Sequence, residues 1–227
     1  VAAGDSLHAA GAAAPALAIW EELLTRERNP EILWRAAREC VVLGMWEEEA
    51  EGREAWFRRG EGFAREALEL RPHGLQERYW LLANLGQRAL RSRLVTTARL
   101  AEEIHREVHL LLEADPRHPG GHHVLGVLNS EVMKFPGITR FLGRSVLGGG
   151  DLYDTSWEEA ERHLSLAVEL DPHTLLYRLD LGILQQRTGR REEAAETFAA
   201  LLALPEAGPV DPVIRKRAGV LLRELER

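Results

Sequence analysis

An all-α fold of stacked helix pairs is what this 227-residue sequence predicts, and three observations predict it. Strand signals are nearly absent, whereas apolar residues at three- and four-residue spacing recur almost throughout. One phrase returns three times, as AREALELRP ending at Pro72, HLLLEADP ending at Pro116 and LSLAVELDP ending at Pro172. Each reads as an amphipathic helix stopped by a proline that cannot continue it. After each proline a second kind of helix begins, LQERYWLLANLG, GGHHVLGVLNSEV and TLLYRLDLGILQQRTG, with a bulky residue early and a small one in the middle. Helix pairs that recur in this way, each unable to bury its apolar face alone, predict an α-solenoid.

Five repeats and a cap account for the chain as one domain. The first, residues 1–28, places Gly11, Ala16 and Trp20 in its helices, and the second, 31–72, contributes Trp34 and Ala37. The third spans 75–116. The fourth, 119–172, carries Leu125 and Gly126 in its first helix and Ala160, Leu164, Ala167 and Pro172 in its second, with an insertion at 135–156 between them. In the fifth, 174–205, Leu181 and Gly182 allow close approach, Gly189 ends the first helix, Ala194 permits close crossing and Phe198 fills the gap. Gly11, Ala16 and Trp20 stand at the same offsets as Gly189, Ala194 and Phe198. Spacing is irregular, and three units are expected to carry insertions between their helices. The last helix, 211–226, starts at Asp211 with Pro212 in its first turn. Ile214, Ala218, Leu221, Leu222 and Leu225 form its apolar stripe, with Arg215, Lys216, Arg223 and Glu224 facing away, as a C-terminal cap requires.

The small and large residues of the fifth unit fall in the register of the tetratricopeptide repeat (TPR), which the chain closely resembles. That resemblance implies a TPR-type α-solenoid, a right-handed superhelix of antiparallel helix pairs. The combination HHVLGVLNSEV, ITRFLGRSVLGGGD and SWEEAERHLSLAVELDP resembles bacterial relatives of the regulator of microtubule dynamics family over residues 75–205. It implies a non-enzymatic solenoid; tubulin binding, a property of eukaryotic members, has no matching motif here. A weaker similarity, in the opening repeats and the YWLLANLG helix, is to helical-repeat accessory subunits of bacterial solute uptake, which implies an exported protein as the alternative.

Several chemistries are excluded by the residues themselves. Formal charge is −7 with acids and bases interleaved, so no basic field draws a nucleic acid. No apolar run approaches the roughly 20 residues that span a bilayer. The stretch RFLGRSVLGGGD has the glycine spacing of a phosphate-binding loop but neither the Lys-Ser/Thr nor the preceding strand, so it reads as a turn. Thr155 or Ser156 caps the helix that follows, with Glu158 and Glu159 in its first turn. His105 and His109 share a helical face, and His118, His122 and His123 cluster nearby, yet no ligand set of supporting spacing accompanies them; no metal is expected, and a metal-dependent enzyme is a distant alternative. The lone Cys40 excludes an internal disulfide. No nucleophile stands beside a base, so no catalytic residue, cofactor or enzymatic activity is expected. The run WEEEAEGRE, residues 46–54, reads as a solvated helix face, and one of the flanking Trp46 and Trp56 is expected to be exposed.

What remains is protein recognition. By register, the first helices present Arg35, Glu39, Tyr79, Gln87, His123, Glu131 and Gln186 to a partner peptide or helix. The partner is expected to be protein, including other copies of the chain joined head to tail, because the first repeat has nothing before it to cover its apolar side. Leu7 and the insertion residues Phe141, Leu142 and Leu147 are the expected assembly surface. The chain begins at Val1 rather than at a methionine, so an N-terminal segment is expected to have been removed, with an exported location favoured over a cytoplasmic one.

Overall fold

The computed structural model describes residues 1–134 and 155–227, and every regular element among them is a helix. Two compact units form, Val1–Ala114 with Gly208–Val210, and Asp115–Ala207 with Asp211–Arg227. The first holds α1 (Ala2–Ala9), α2 (Ala13–Arg26), α3 (Pro30–Trp46), α4 (Ala50–Leu70), α5 (Leu75–Ala89) and α6 (Leu94–Ala114). The second holds α7 (Pro119–Met133), α8 (Trp157–Leu170), α9 (Leu175–Arg187), α10 (Arg191–Ala203) and α11 (Asp211–Leu225). Consecutive helices pack as pairs, α1 on α2, α3 on α4, α5 on α6, α7 on α8 and α9 on α10.

Local chemistry sets the helix ends. The helices before Pro72, Pro172 and Pro205 each stop two residues early, because a residue preceding proline is driven out of the helical region. Arg71 (φ −139°, ψ 80°), Asp171 (φ −141°, ψ 86°) and Leu204 (φ −73°, ψ 147°) all show it. Starts are capped by side chains. Asn29 accepts from the Glu31 N–H (2.9 Å), His118 from the Gly121 N–H (3.0 Å) and Ser156 from the Glu159 N–H (3.0 Å). Of the two expected caps for α8, Ser156 is the one used.

One packing device closes most pairs: a glycine on the first helix lies flat under a large side chain of the second. A Cβ on Gly182 would fall 2.5 Å from the Phe198 ring, and one on Gly126 2.7 Å from Leu164 Cγ. Gly44 is covered by Phe57, and Gly4 by Trp20. Trp20, Phe57 and Phe198 are wholly buried, each worth about 1.5–3 kcal/mol in apolar transfer. Gly4 therefore stands where Gly182 stands in the fifth repeat, a correspondence the sequence reading lacked. Gly11 (φ +73°) and Gly189 (φ +84°) make the same left-handed stop, the only positive-φ residues described.

The second and third repeats depart from expectation. Their extra residues extend helices instead of forming inserted loops: α4 and α6 have 21 residues each, against 13 in α10, and only Glu47–Glu49 separate α3 from α4. Trp46 is 38% exposed, while Trp56 packs against the core formed by Trp20, Leu24 and Leu33. In α11, Ile214 and Ala218 are buried as expected. Arg215 does not face away; it donates to the Leu202 (2.8 Å) and Leu204 (2.6 Å) carbonyls, satisfying the last turn of α10.

Candidate interaction surface

In the first unit the polar residues of the first helices are tied into one network. Asp5 of α1 accepts from Arg35 (3.0 Å) and Arg38 (3.3 Å) of α3, and His8 meets Glu39 at 3.0 Å. Arg38 also donates to Glu39 (2.8 Å), and Arg35 to Glu31 (2.9 Å). Arg71 then links Glu31 (2.5 Å) to the buried Glu77 (3.0 Å) at the start of α5. The Glu31 carboxyl is held down to about 2, first because Arg71 donates to it, with Arg35 and Trp34 adding donors against an opposing cost of burial. Two expected contact residues take a different role here. Glu39 is fully enclosed, and Arg35 lies over the Trp34 ring (4.1 Å) as it pairs with Asp5; both join α1 to α3. Tyr79 and Gln87 of α5 remain half-buried at the surface, Tyr79 edge-on to Trp80 and Gln87 accepting from Arg91 at 2.8 Å.

In the second unit α7 and α9 share a polar seam. His123 Nε2 meets Asp180 at 2.8 Å with its ring against Tyr177, and two turns further along Arg187 donates to Ser130 and to Glu131, each at 2.9 Å. Glu131 also pairs with Lys134. Gln186, on the same helix as Arg187, is half-buried. The structure thus brings His123 and Glu131 to one seam with Asp180 and Arg187, whose partners lie 57 and 56 residues away in sequence.

The histidines form chains of hydrogen bonds. Arg162 carries only donors, so its 3.0 Å contact with His163 Nε2 leaves the His163 proton on Nδ1. That N–H donates to His122 Nδ1 (2.9 Å), and the His122 proton is left on Nε2, facing the Pro116 carbonyl at 3.0 Å. His163 Nε2 also lies 3.7 Å from Glu159. Both rings are buried where α7 meets α8. His118 is held below its usual range, first by burial and then by the neighbouring His122, with Asp115 opposing. His105 and His109 face one another on α6 at 3.1 Å. Among the described residues no group of three or more His, Cys, Asp and Glu side chains could hold a metal ion. Cys40 is buried and its thiol pushed up to about 12, chiefly by desolvation. Leu7 is half-buried in α1, while Phe141, Leu142 and Leu147 lie outside the described residues.

Among the described residues no helix is long and apolar enough to cross a membrane. The model of the family described as Regulator of microtubule dynamics protein 1-3 matches residues 1–226, well beyond the 75–205 that the sequence motifs cover. In three dimensions the chain is similar to TTC0263, a thermophilic TPR protein of Thermus thermophilus. The TM-score is 0.65 at 20% identity, over 97% of this chain and 95% of that one. It is also similar to human IFIT1, solved as a dimer with PPP-AAAA, with a TM-score of 0.51 at 19% identity over 93% of this chain and 49% of that one. At these identities the likeness is one of fold, and the fold is the tetratricopeptide type. No curated protein matches the sequence.

Proposed function

Since the chain belongs to the regulator of microtubule dynamics protein 1-3 family, we propose that it is a non-catalytic scaffold that binds protein through the first helices of its repeats. The observation that carries this reading is the ordered polar seam of α7 and α9. Lateral pairs, His123 with Asp180 and Glu131 with Arg187, hold side chains in place before any partner arrives, which lowers the ordering cost of binding. Gln186 beside that seam, and Tyr79 and Gln87 on α5, are the proposed contact residues. The partner is to be isolated on the intact protein, identified, and its affinity measured by titration calorimetry against variants. Tyr79→Ala and Gln186→Ala should each weaken binding about tenfold, the effect of losing a contact worth about 1.4 kcal/mol. Glu196→Ala, exposed on the second helix α10, should leave it unchanged. Loss of affinity at Glu196 with none at Tyr79 or Gln186 would put the binding face on the second helices instead.

Association of copies is the finer form of this reading. It is supported by α11, which buries Ile214 and Ala218 but leaves Val213 and Val220, seven residues apart on one stripe, about two-fifths exposed. Light scattering across a concentration series reads it directly. Mass that rises with concentration in the parent protein, and not in the Val213→Asp/Val220→Asp variant, supports head-to-tail contact. A monomer at every concentration removes it.

A further inference from the structure

Four arginines from three helices of the first unit line one open cleft. Arg58, Glu61, Gly62 and Arg65 of α4 face Thr96 and Arg99 of α6, and Arg88 of α5 completes a lining around about 470 Å³. Arg58, Gly62 and Arg65 fall on one stripe of α4, and Thr96 and Arg99 on one face of α6, so both walls carry guanidinium groups. Like charges brought face to face repel, and Glu61 is the one carboxylate in the lining. A Cβ on Gly62 would meet no atom within 4 Å, so this mid-helix glycine serves no close contact although it costs about 1 kcal/mol of helix propensity.

The carboxylates present do not neutralise the arginines. Arg58 pairs with Glu54 (3.0 Å), Arg65 with Glu61 and Glu103 (both 2.7 Å), and Arg88 with Glu54 (3.0 Å) and Glu61. Three carboxylates thus serve three of the four guanidinium groups, and the fourth, Arg99, has no ion-pair partner among the described residues. Arg88 is held in place by its two acids with its side chain 10% exposed, while Arg58 and Arg65 keep much of their surface open to the cleft. Several guanidinium groups lining one cleft, Arg88 among them held in place, match a tetrahedral oxyanion, which accepts several charge-assisted hydrogen bonds at once; a point-like chloride uses that geometry poorly.

We propose that this cleft binds a phosphate-type oxyanion, either the free ion or the phosphomonoester of a protein side chain. The site is built mainly on the second helices α4 and α6, with Arg88 supplied by the first helix α5.

Inorganic phosphate titrated into the intact protein by calorimetry, with sodium chloride holding ionic strength constant, is the test. Arg99→Ala and Gly62→Glu suit it because the first breaks no ion pair and the second puts a carboxylate into open space. Unchanged circular dichroism and urea midpoint without phosphate will establish that both are folded. Saturable binding that each variant weakens at least about tenfold is the expected result. No heat of binding in the parent protein, or equal affinity in parent and both variants, overturns the proposal. A short Gly-Ser peptide with one phosphoserine, compared with its unphosphorylated form, separates the two sources. Binding at least about tenfold tighter than phosphate alone identifies the ester, and equal affinity the free ion.

Discussion

Replacing Gly182 by alanine tests the packing rule that closes the repeats, because two opposing effects of known size meet at that atom. Alanine is favoured over glycine within a helix by about 1 kcal/mol. Against that gain, the new Cβ would sit 2.5 Å from Phe198 Cε1 and 2.9 Å from Cδ1 and Cζ, distances no relaxed contact reaches. Phe198 is wholly buried, so relief requires its ring to displace core neighbours or α9 and α10 to move apart. Overpacking of this kind costs about 1–3 kcal/mol, so the net change is a loss of up to about 2 kcal/mol. Gly86 in α5 supplies the control. A Cβ there meets nothing within 4 Å, and Gly86→Ala should stabilise by about 0.5–1 kcal/mol.

Urea denaturation of both variants measures the difference, expected at about 1–3 kcal/mol in favour of Gly86→Ala. In a Phe198→Leu background the clash is relieved, and Gly182→Ala should then behave like Gly86→Ala. The double-mutant cycle isolates the coupling of the pair from the lost ring area. If Gly182→Ala and Gly86→Ala agree within about 0.5 kcal/mol in the parent protein, close approach at the glycine is not what sets the α9–α10 spacing, and the reasoning fails.

The left-handed stops make a second pair: Gly11→Ala and Gly189→Ala should each cost about 1–2 kcal/mol in the same assay, because positive φ is strained for any residue with a Cβ. Acid should weaken the second unit in a specific window. His118 caps α7 as a neutral acceptor with its native value lowered, so below pH 6.5 the unfolded chain binds a proton that the native cap refuses. The urea midpoint should therefore fall as pH drops from 6.5, and His118→Asn, which keeps a capping acceptor without the titration, should flatten that slope. Glu31 acts at lower pH: its ion pairs contribute fully above 4.5 and are lost as pH falls through about 2, so Glu31→Gln should reduce acid sensitivity between those values. Cys40, enclosed and poorly ionised, should resist iodoacetamide at pH 8 in the native protein and react once urea unfolds it.

Helix boundaries were legible because their causes are local. A proline acts on the residue before it, and Ser156 on an amide three residues away, so sequence alone places these ends. The side chains of the candidate surface are arranged by partners far along the chain, and there the register was insufficient. It gives Glu39 a face of α3 but does not say that His8 of α1 covers that face, and so it turns a buried ion-pair residue into an apparent contact. The register names His123 and Glu131 but not Asp180 and Arg187, which pair with them. His163 reads as one polar residue among several in ERHLSL, and only the approach of α8 to α7 makes it the partner of His122.

The arginine cleft escaped for a further reason, which ties it to the departure from repeat length. Counted back from the closing proline, α10 begins 14 residues before Pro205, and the corresponding position in α6, counted from Pro116, is residue 102. Residues 94–101 are therefore added turns, and they include Thr96 and Arg99, the whole α6 wall of the cleft. A repeat of ordinary length in this place would leave Arg58 and Arg65 with their carboxylate partners but with no second wall opposite them. The added turns bring a second set of donors opposite them, and Gly62 keeps the space between open. Where a repeat sequence exceeds the length its packing requires, the surplus merits reading as a site, since neighbouring repeats do not account for it.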